Sequence, residues 1–188
     1  MRPIAPEVSA LYTVVRNGGF EEGTDMPTFW DPFPPKPEKW GHHRLDREVF
    51  HSGKASGAVL SDEPHPAGKA TQQWMKYTVP VKGGSTLVFS YWIRIERARP
   101  IGTGCHFYRA DKGHVGFVPV PVPSTAQDWT YVRQDVPVPP DAVNMGIALY
   151  AGDEGTTWYD DVALLGTPDM TATAGTPVID GRLSDDCW

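Results

Sequence analysis

Between residues 11 and 165 the chain reads as nine or ten short strand-forming runs, spaced by turn signals, with no convincing amphipathic helix. That rhythm constrains the fold more than any other feature, because short alternating strands must bury one face against a second layer. Leu87 to Ile95 is the strongest run. Leu87, Phe89, Tyr91 and Ile93 fall on one face, and Val88, Ser90, Trp92 and Arg94 on the other. Leu11–Arg16, Glu48–Phe50, Ala55–Leu60, Thr71–Val79, Gly104–Arg109, Trp129–Val138, Asn144–Tyr150 and Thr156–Leu165 read as further strands. Val115–Val122 is interrupted by proline and reads as an edge strand. Gly and Pro, 19 of each, break helices and supply the turns. The expectation is all-β: an antiparallel β-sandwich of jelly-roll type.

Composition narrows the function classes. With 188 residues, 40% hydrophobic and 21% charged, one folded domain plus a tail is expected. Net charge is -6, without the basic excess or patch of a nucleic-acid binder. No apolar run approaches the ~20 residues that span a bilayer. Cys105 and Cys187 are far apart in sequence, and two free thiols are expected. Residues 166–177 are rich in Gly, Thr, Pro and Ala and read as a linker after a sandwich domain spanning 1–165. Residues 178–188 read as the start of a following domain, so the chain is expected to come from a larger modular protein.

Five segments, taken in order, resemble a known family. They are Asn17-Gly18-Gly19-Phe20-Glu21, His51-Ser52-Gly53-Lys54-Ala55-Ser56, the pair Tyr77–Gly84 and Leu87–Arg94, Asp128-Trp129-Thr130, and Trp158-Tyr159-Asp160-Asp161-Val162-Ala163-Leu164. Together they resemble the galactose-binding-like carbohydrate-binding modules found beside xylanases and cellulases. The terminal Ile179–Trp188 is similar to the first strand of a second kind of sugar-binding sandwich. The resemblance implies a jelly roll and a non-catalytic role, in which polysaccharide binding targets a secreted or cell-surface glycoside hydrolase. It also implies a structural calcium ion held by the side chains of Glu21 and Asp160 and the carbonyls of Gly19 and Lys54. By strand parity Asp160 goes with Val162 and Leu164 and is expected to point inward, where a carboxylate needs a partner or a metal. Turn-region hydrogen bonds are the competing account of Glu21 and Asp160.

The sugar-binding surface is expected from residues that mix stacking rings with planar hydrogen-bonding groups, since sugars present apolar C–H faces rimmed by hydroxyls. Trp92 and Arg94 share one face of their strand, and His106 and Tyr108 share one face of the next. Asn144 and Tyr150 flank the small Gly146 and Ala148, and Gln72 and Trp74 are placed on the same surface. Trp74 and Trp92 would otherwise be core residues. The aromatic loop Phe29–Phe33 with Trp40 reads as a lid over one end of the sandwich. His42 and His43, adjacent on a strand, point to opposite faces and do not make a metal site. No nucleophile, phosphate-loop or dinucleotide motif is present. Adjacent pairs Glu21-Glu22 and Asp160-Asp161 diverge and do not suit a glycosidase pair. The rival readings are a structural or adhesion spacer without a sugar site, and a jelly-roll lyase or hydrolase. The protein is expected to be a monomer.

Overall fold

The computed structural model describes residues 15–33, 35, 42–61, 73–98, 103–122, 127–150 and 154–165. These form ten strands: β1 (Asp31–Phe33), β2 (His42–Asp46), β3 (Ser56–Ser61), β4 (Gln73–Pro80), β5 (Thr86–Glu96), β6 (Thr103–Tyr108), β7 (His114–Val120), β8 (Thr130–Pro137), β9 (Asn144–Tyr150) and β10 (Gly155–Leu165). They pair antiparallel in two five-stranded sheets, β1-β4-β9-β6-β7 and β2-β3-β10-β5-β8. From β3 onward the chain passes repeatedly between the two layers, which makes the jelly roll. β7 is an edge strand, in keeping with its Pro119.

The alternation read from the sequence decides what each strand buries. On β5, Phe89, Tyr91 and Ile93 lie in the core between the sheets. From the facing sheet, Met145, Ile147 and Leu149 of β9 and Cys105 and Phe107 of β6 meet them. The Tyr91 hydroxyl is not orphaned, because Thr103 donates to it at 3.1 Å. Burial pushes the Cys105 thiol up to about 12, so it behaves as a small apolar residue.

Two expectations are corrected: the strand at Glu48–Phe50, and the aromatic loop Phe29–Phe33, of which Asp31–Phe33 is strand β1. Glu48–Phe50 is not a strand but part of an irregular loop; the strand lies earlier, at His42–Asp46. Asp46 explains the change of direction: its Oδ1 accepts the main-chain N–H groups of Glu48 and Val49, at 2.9 and 3.2 Å, which turns the backbone out of the ladder. Only Val15 and Arg16 of the run Leu11–Arg16 are described, Val15 ahead of a turn and Arg16 within it. Residues 1–14, Trp40, Gln72, the linker 166–177 and residues 178–188 with Cys187 lie outside the described residues.

The Asn17–Glu21 segment closes one end of the sandwich. Asn17, at φ 53°, donates its side-chain amide to the carbonyls of Glu22 and Thr28. Its own carbonyl accepts the Trp30 indole N–H at 2.8 Å. Phe20 then stacks on Trp30 at 5.0 Å between ring centres. Trp30 is buried in the core cluster, as a lid residue would be, whereas Phe29 is exposed. Gly57 is needed below this loop: a Cβ there would stand 2.3 Å from the Phe20 ring.

Candidate functional site

Asp160 and Glu21 organise one turn, His51–Lys54. Asp160 Oδ2 accepts the main-chain N–H groups of His51 and Ser52 at 2.8 and 3.1 Å. Glu21 Oε1 accepts the N–H of Lys54 at 2.9 Å and of Ala55 at 3.4 Å. Asp161 takes the His51 imidazole at 2.7 Å and the Ser52 hydroxyl at 2.8 Å. Gly19 lies beside them, since a Cβ there would be 3.9 Å from Asp160 Oδ1. Gly18 holds β10 to the N-terminal segment by accepting the Val162 N–H at 2.8 Å. The four positions expected around an ion, Gly19, Glu21, Lys54 and Asp160, are thus brought to one place.

Asp160 is fully buried, but not where parity puts it. The register of β10 against β5 slips between Asp160 and Ala163, and Asp161 has φ 48°. This bulge changes the parity, so Asp160 lies opposite Trp92 on the outer face while Val162 and Leu164 point into the core. The His51–Lys54 turn, not the opposing sheet, buries its carboxylate. Desolvation is the main cause that lifts its pKa, to about 6, and the neighbouring Asp161 charge adds to it, against three lowering N–H bonds. Carboxylate oxygens and main-chain carbonyls are the donors a hard cation takes. Among the described residues, however, no three His, Cys, Asp or Glu side chains stand in a metal-holding group.

The residues expected to bind sugar divide between three places. His106, Tyr108, Asn144 and Tyr150 come together on the outer face of the β1-β4-β9-β6-β7 sheet. His106 pairs across to Gly146, and Tyr108 to Asn144. Trp74 does not join them. It is fully buried between the sheets, with its ring edge-on to His43 at 4.8 Å, because it lies opposite the core residue Leu149. Trp92 and Arg94 lie on the outer face of the other sheet, opposite Asp160 and Trp158. A single surface containing all eight positions does not exist.

On the first face the rings form a row across the strands. His106 Nε2 is 3.3 Å from the Tyr150 hydroxyl, and its Nδ1 is 3.3 Å from His114 Nε2. Phe117 packs on His106 with ring centres 4.6 Å apart, and His114 meets Tyr108 edge-on at 5.5 Å. Gly104, Gly146 and Ala148 leave the floor low beneath them. Burial, and then the adjacent His114, hold His106 below the ordinary histidine range. Burial raises Tyr150, so both groups are neutral near pH 7.

His114 and Phe117 were not anticipated. They are three residues apart, so simple alternation puts them on opposite faces. A register shift between Phe107 and Tyr108 sets Phe117 opposite His106 and His114 opposite Tyr108. Only the two histidines spaced around the Arg109–Gly113 turn gave a signal in the sequence.

No protein-family model matches the chain, and no curated protein matches it by sequence. The fold does match solved structures. The CBM22-1 xylan-binding domain of Paenibacillus barcinonensis Xyn10C superposes with a TM-score of 0.60 at 12% identity, over 85% of this chain and 97% of that one. The C-terminal family 22 carbohydrate binding module of Clostridium thermocellum Xyn10B does so with a TM-score of 0.60 at 14% identity, over 87% and 98%. The enzymatically active domain of bacteriophage CBA120 tailspike protein 4 matches with a TM-score of 0.62 at 13% identity. That match covers 82% of this chain and only 21% of the tailspike chain.

Proposed function

We propose that this chain is a non-catalytic carbohydrate-binding module, and that the outer face of the β1-β4-β9-β6-β7 sheet is its polysaccharide site. The observation that carries the reading is the row Tyr150–His106–Phe117/His114–Tyr108 above the small residues Gly104, Gly146 and Ala148. The exposed Phe117 ring and the half-buried tyrosine rings offer stacking planes for sugar C–H faces, and the neutral His106 imidazole, the phenols and the Asn144 amide offer donors and acceptors to hydroxyls. Its fold neighbours include a domain described as xylan-binding, which makes xylan the first ligand to try. Such a surface raises the local concentration of substrate for an attached domain and needs no chemistry. The tailspike match, where a sandwich of this size is a small part of a long chain, supports a role as one unit of a larger modular protein.

Affinity electrophoresis against soluble xylan, with mixed-linkage glucan and cellulose derivatives beside it, tests the reading. Retardation that Tyr150→Ala or Tyr108→Ala removes, without a change in melting, is the expected result. No retardation by any polysaccharide would leave the spacer reading.

The same reading includes calcium at Gly19, Glu21, Lys54 and Asp160. The support is a buried carboxylate of raised pKa beside two others on a single turn; a bound cation would offset that desolvation. The ion would be structural and would tie the N-terminal segment to β10. A chelator is expected to lower the melting temperature and calcium to restore it. An unchanged melt would assign Glu21 and Asp160 to N–H capping alone.

A further inference from the structure

Trp92 and Arg94 are left over by the site just described, and they sit in a second aromatic surface on the opposite side of the sandwich. Trp92 stacks on His51 with ring centres 3.8 Å apart and 15° between planes. His51 meets Trp129 at 5.8 Å, and Trp92 meets Tyr131 at 5.3 Å. Four rings from three parts of the chain therefore adjoin on the outer face of the β2-β3-β10-β5-β8 sheet. Tyr131 is 49% exposed, the most exposed of the large hydrophobic side chains among the described residues. A ring held in place by Trp92 on one side and open to solvent on the other is a pre-ordered platform.

The charges on this face are unevenly satisfied. Arg44 is paired with Asp46 at 2.7 Å, and Arg133 lies 3.7 Å from Asp135. Asp160 is covered and capped by N–H groups, and Asp161 is held by His51 and Ser52. Arg94 differs. Its guanidinium carbon lies 5.6 Å over the Trp158 ring, and its buried Nε has no hydrogen-bond partner. No carboxylate among the described residues pairs with it. Arg94 follows Trp92 by two residues on the same face, about 7 Å along the strand, and Trp92 is directly opposite Tyr131. A stacking plane and a guanidinium with no carboxylate partner among the described residues are thus offered side by side.

We propose that this surface is a second saccharide site, independent of the first, and that it takes a carboxylated sugar. The pyranose C–H face of a uronic acid residue lies on Tyr131 against Trp92, and its carboxylate accepts hydrogen bonds from Arg94. Neutral sugars satisfy the platform but leave Arg94 unpaired, and a small inorganic anion satisfies Arg94 but leaves the ring bare. The ligand class that fits both is an acidic oligosaccharide. Glu96, two positions beyond Arg94 on the same face, opposes it and sets a limit on the affinity.

Isothermal titration of the whole chain with oligogalacturonate at low ionic strength tests the proposal, with xylohexaose as the neutral probe. Oligogalacturonate is expected to bind, and more weakly at high salt. Arg94→Gln and Tyr131→Ala are each expected to weaken it about tenfold, the scale of one charge-assisted hydrogen-bond pair or one stacking ring. Glu96→Gln is expected to tighten it. Tyr150→Ala, on the opposite sheet, is expected to leave it unchanged, so failure of the first site and of the second read differently. Melting curves accompany each variant, and exposed Tyr131 is the one that reports without disturbing the core. Absence of oligogalacturonate binding, or binding that Tyr131→Ala and Arg94→Gln leave intact, would overturn the proposal; so would loss on Tyr150→Ala.

Discussion

Phe117 lies across Gly104: a Cβ on Gly104 would stand 2.0 Å from the Phe117 ring. The glycine is therefore the seat of an exposed ring on the candidate polysaccharide face. Gly104→Ala is expected to lift Phe117 off β6 and weaken polysaccharide binding about two- to tenfold, the worth of one aromatic contact. Affinity electrophoresis checks it, and unaltered retardation would remove Phe117 from the site.

His106 carries a pH dependence whose sign follows from its environment. Burial first, and the neighbouring His114 second, hold its folded pKa below the ordinary value. Between the folded pKa and about 6.5 the unfolded chain therefore binds the extra proton. The stability His106 contributes is present above that value and is lost as pH falls through it. Melting temperature followed from pH 7.5 downward should fall more steeply in the native sequence than in His106→Gln, and equal slopes would contradict the assignment.

Asp160 is the keystone of the 51–54 turn whether or not an ion is bound. Asp160→Ala would leave the partly buried N–H groups of His51, Ser52 and Asp161 without their acceptor. An unmade buried hydrogen bond costs ~1–3 kcal/mol. Chemical denaturation should register a loss of at least that order, and larger than for Asp161→Ala, whose partners are side chains nearer solvent.

Gly57 and Phe20 form the tightest point of the lid. Gly57→Ala puts a methyl group 2.3 Å from the Phe20 ring, and overpacking of this kind costs ~1–3 kcal/mol. The expected signature is a lower melting temperature with polysaccharide binding retained, because the lid is not part of the proposed site.

Asp46 tests the other buried carboxylate. Burial alone would raise its pKa, but hydrogen bonds from Trp158, Glu48, Arg44 and Val49 bring it below the usual value. It contributes stability above the unfolded carboxylate range, and that stability is lost as pH falls through its folded pKa. Asp46→Asn is expected to cost ~1–3 kcal/mol at neutral pH, with the difference from the native sequence shrinking in acid.

Most strands of the sandwich are legible because period-two alternation is written into them; the three-residue β1, which contains a proline, and the polar β2 are not. Leu87–Ile95 separates Phe89, Tyr91 and Ile93 from Ser90, Trp92 and Arg94 as the folded chain does, and Asn144–Tyr150 separates core residues from Asn144, Gly146, Ala148 and Tyr150. Alternation divides one strand into two faces, and no more. It cannot say which strands are neighbours, so Trp92 and Arg94 were joined to His106 and Tyr108 although strand pairing puts them on opposite sides of the molecule. Nor does it mark a bulge, and one extra residue moves everything after it to the other face. Such shifts took Asp160 out of the interior and brought His114 and Phe117 together. Strand content and face polarity are local, set by side chains two residues apart. The sites are long-range, and hydrogen bonding between distant segments decided them.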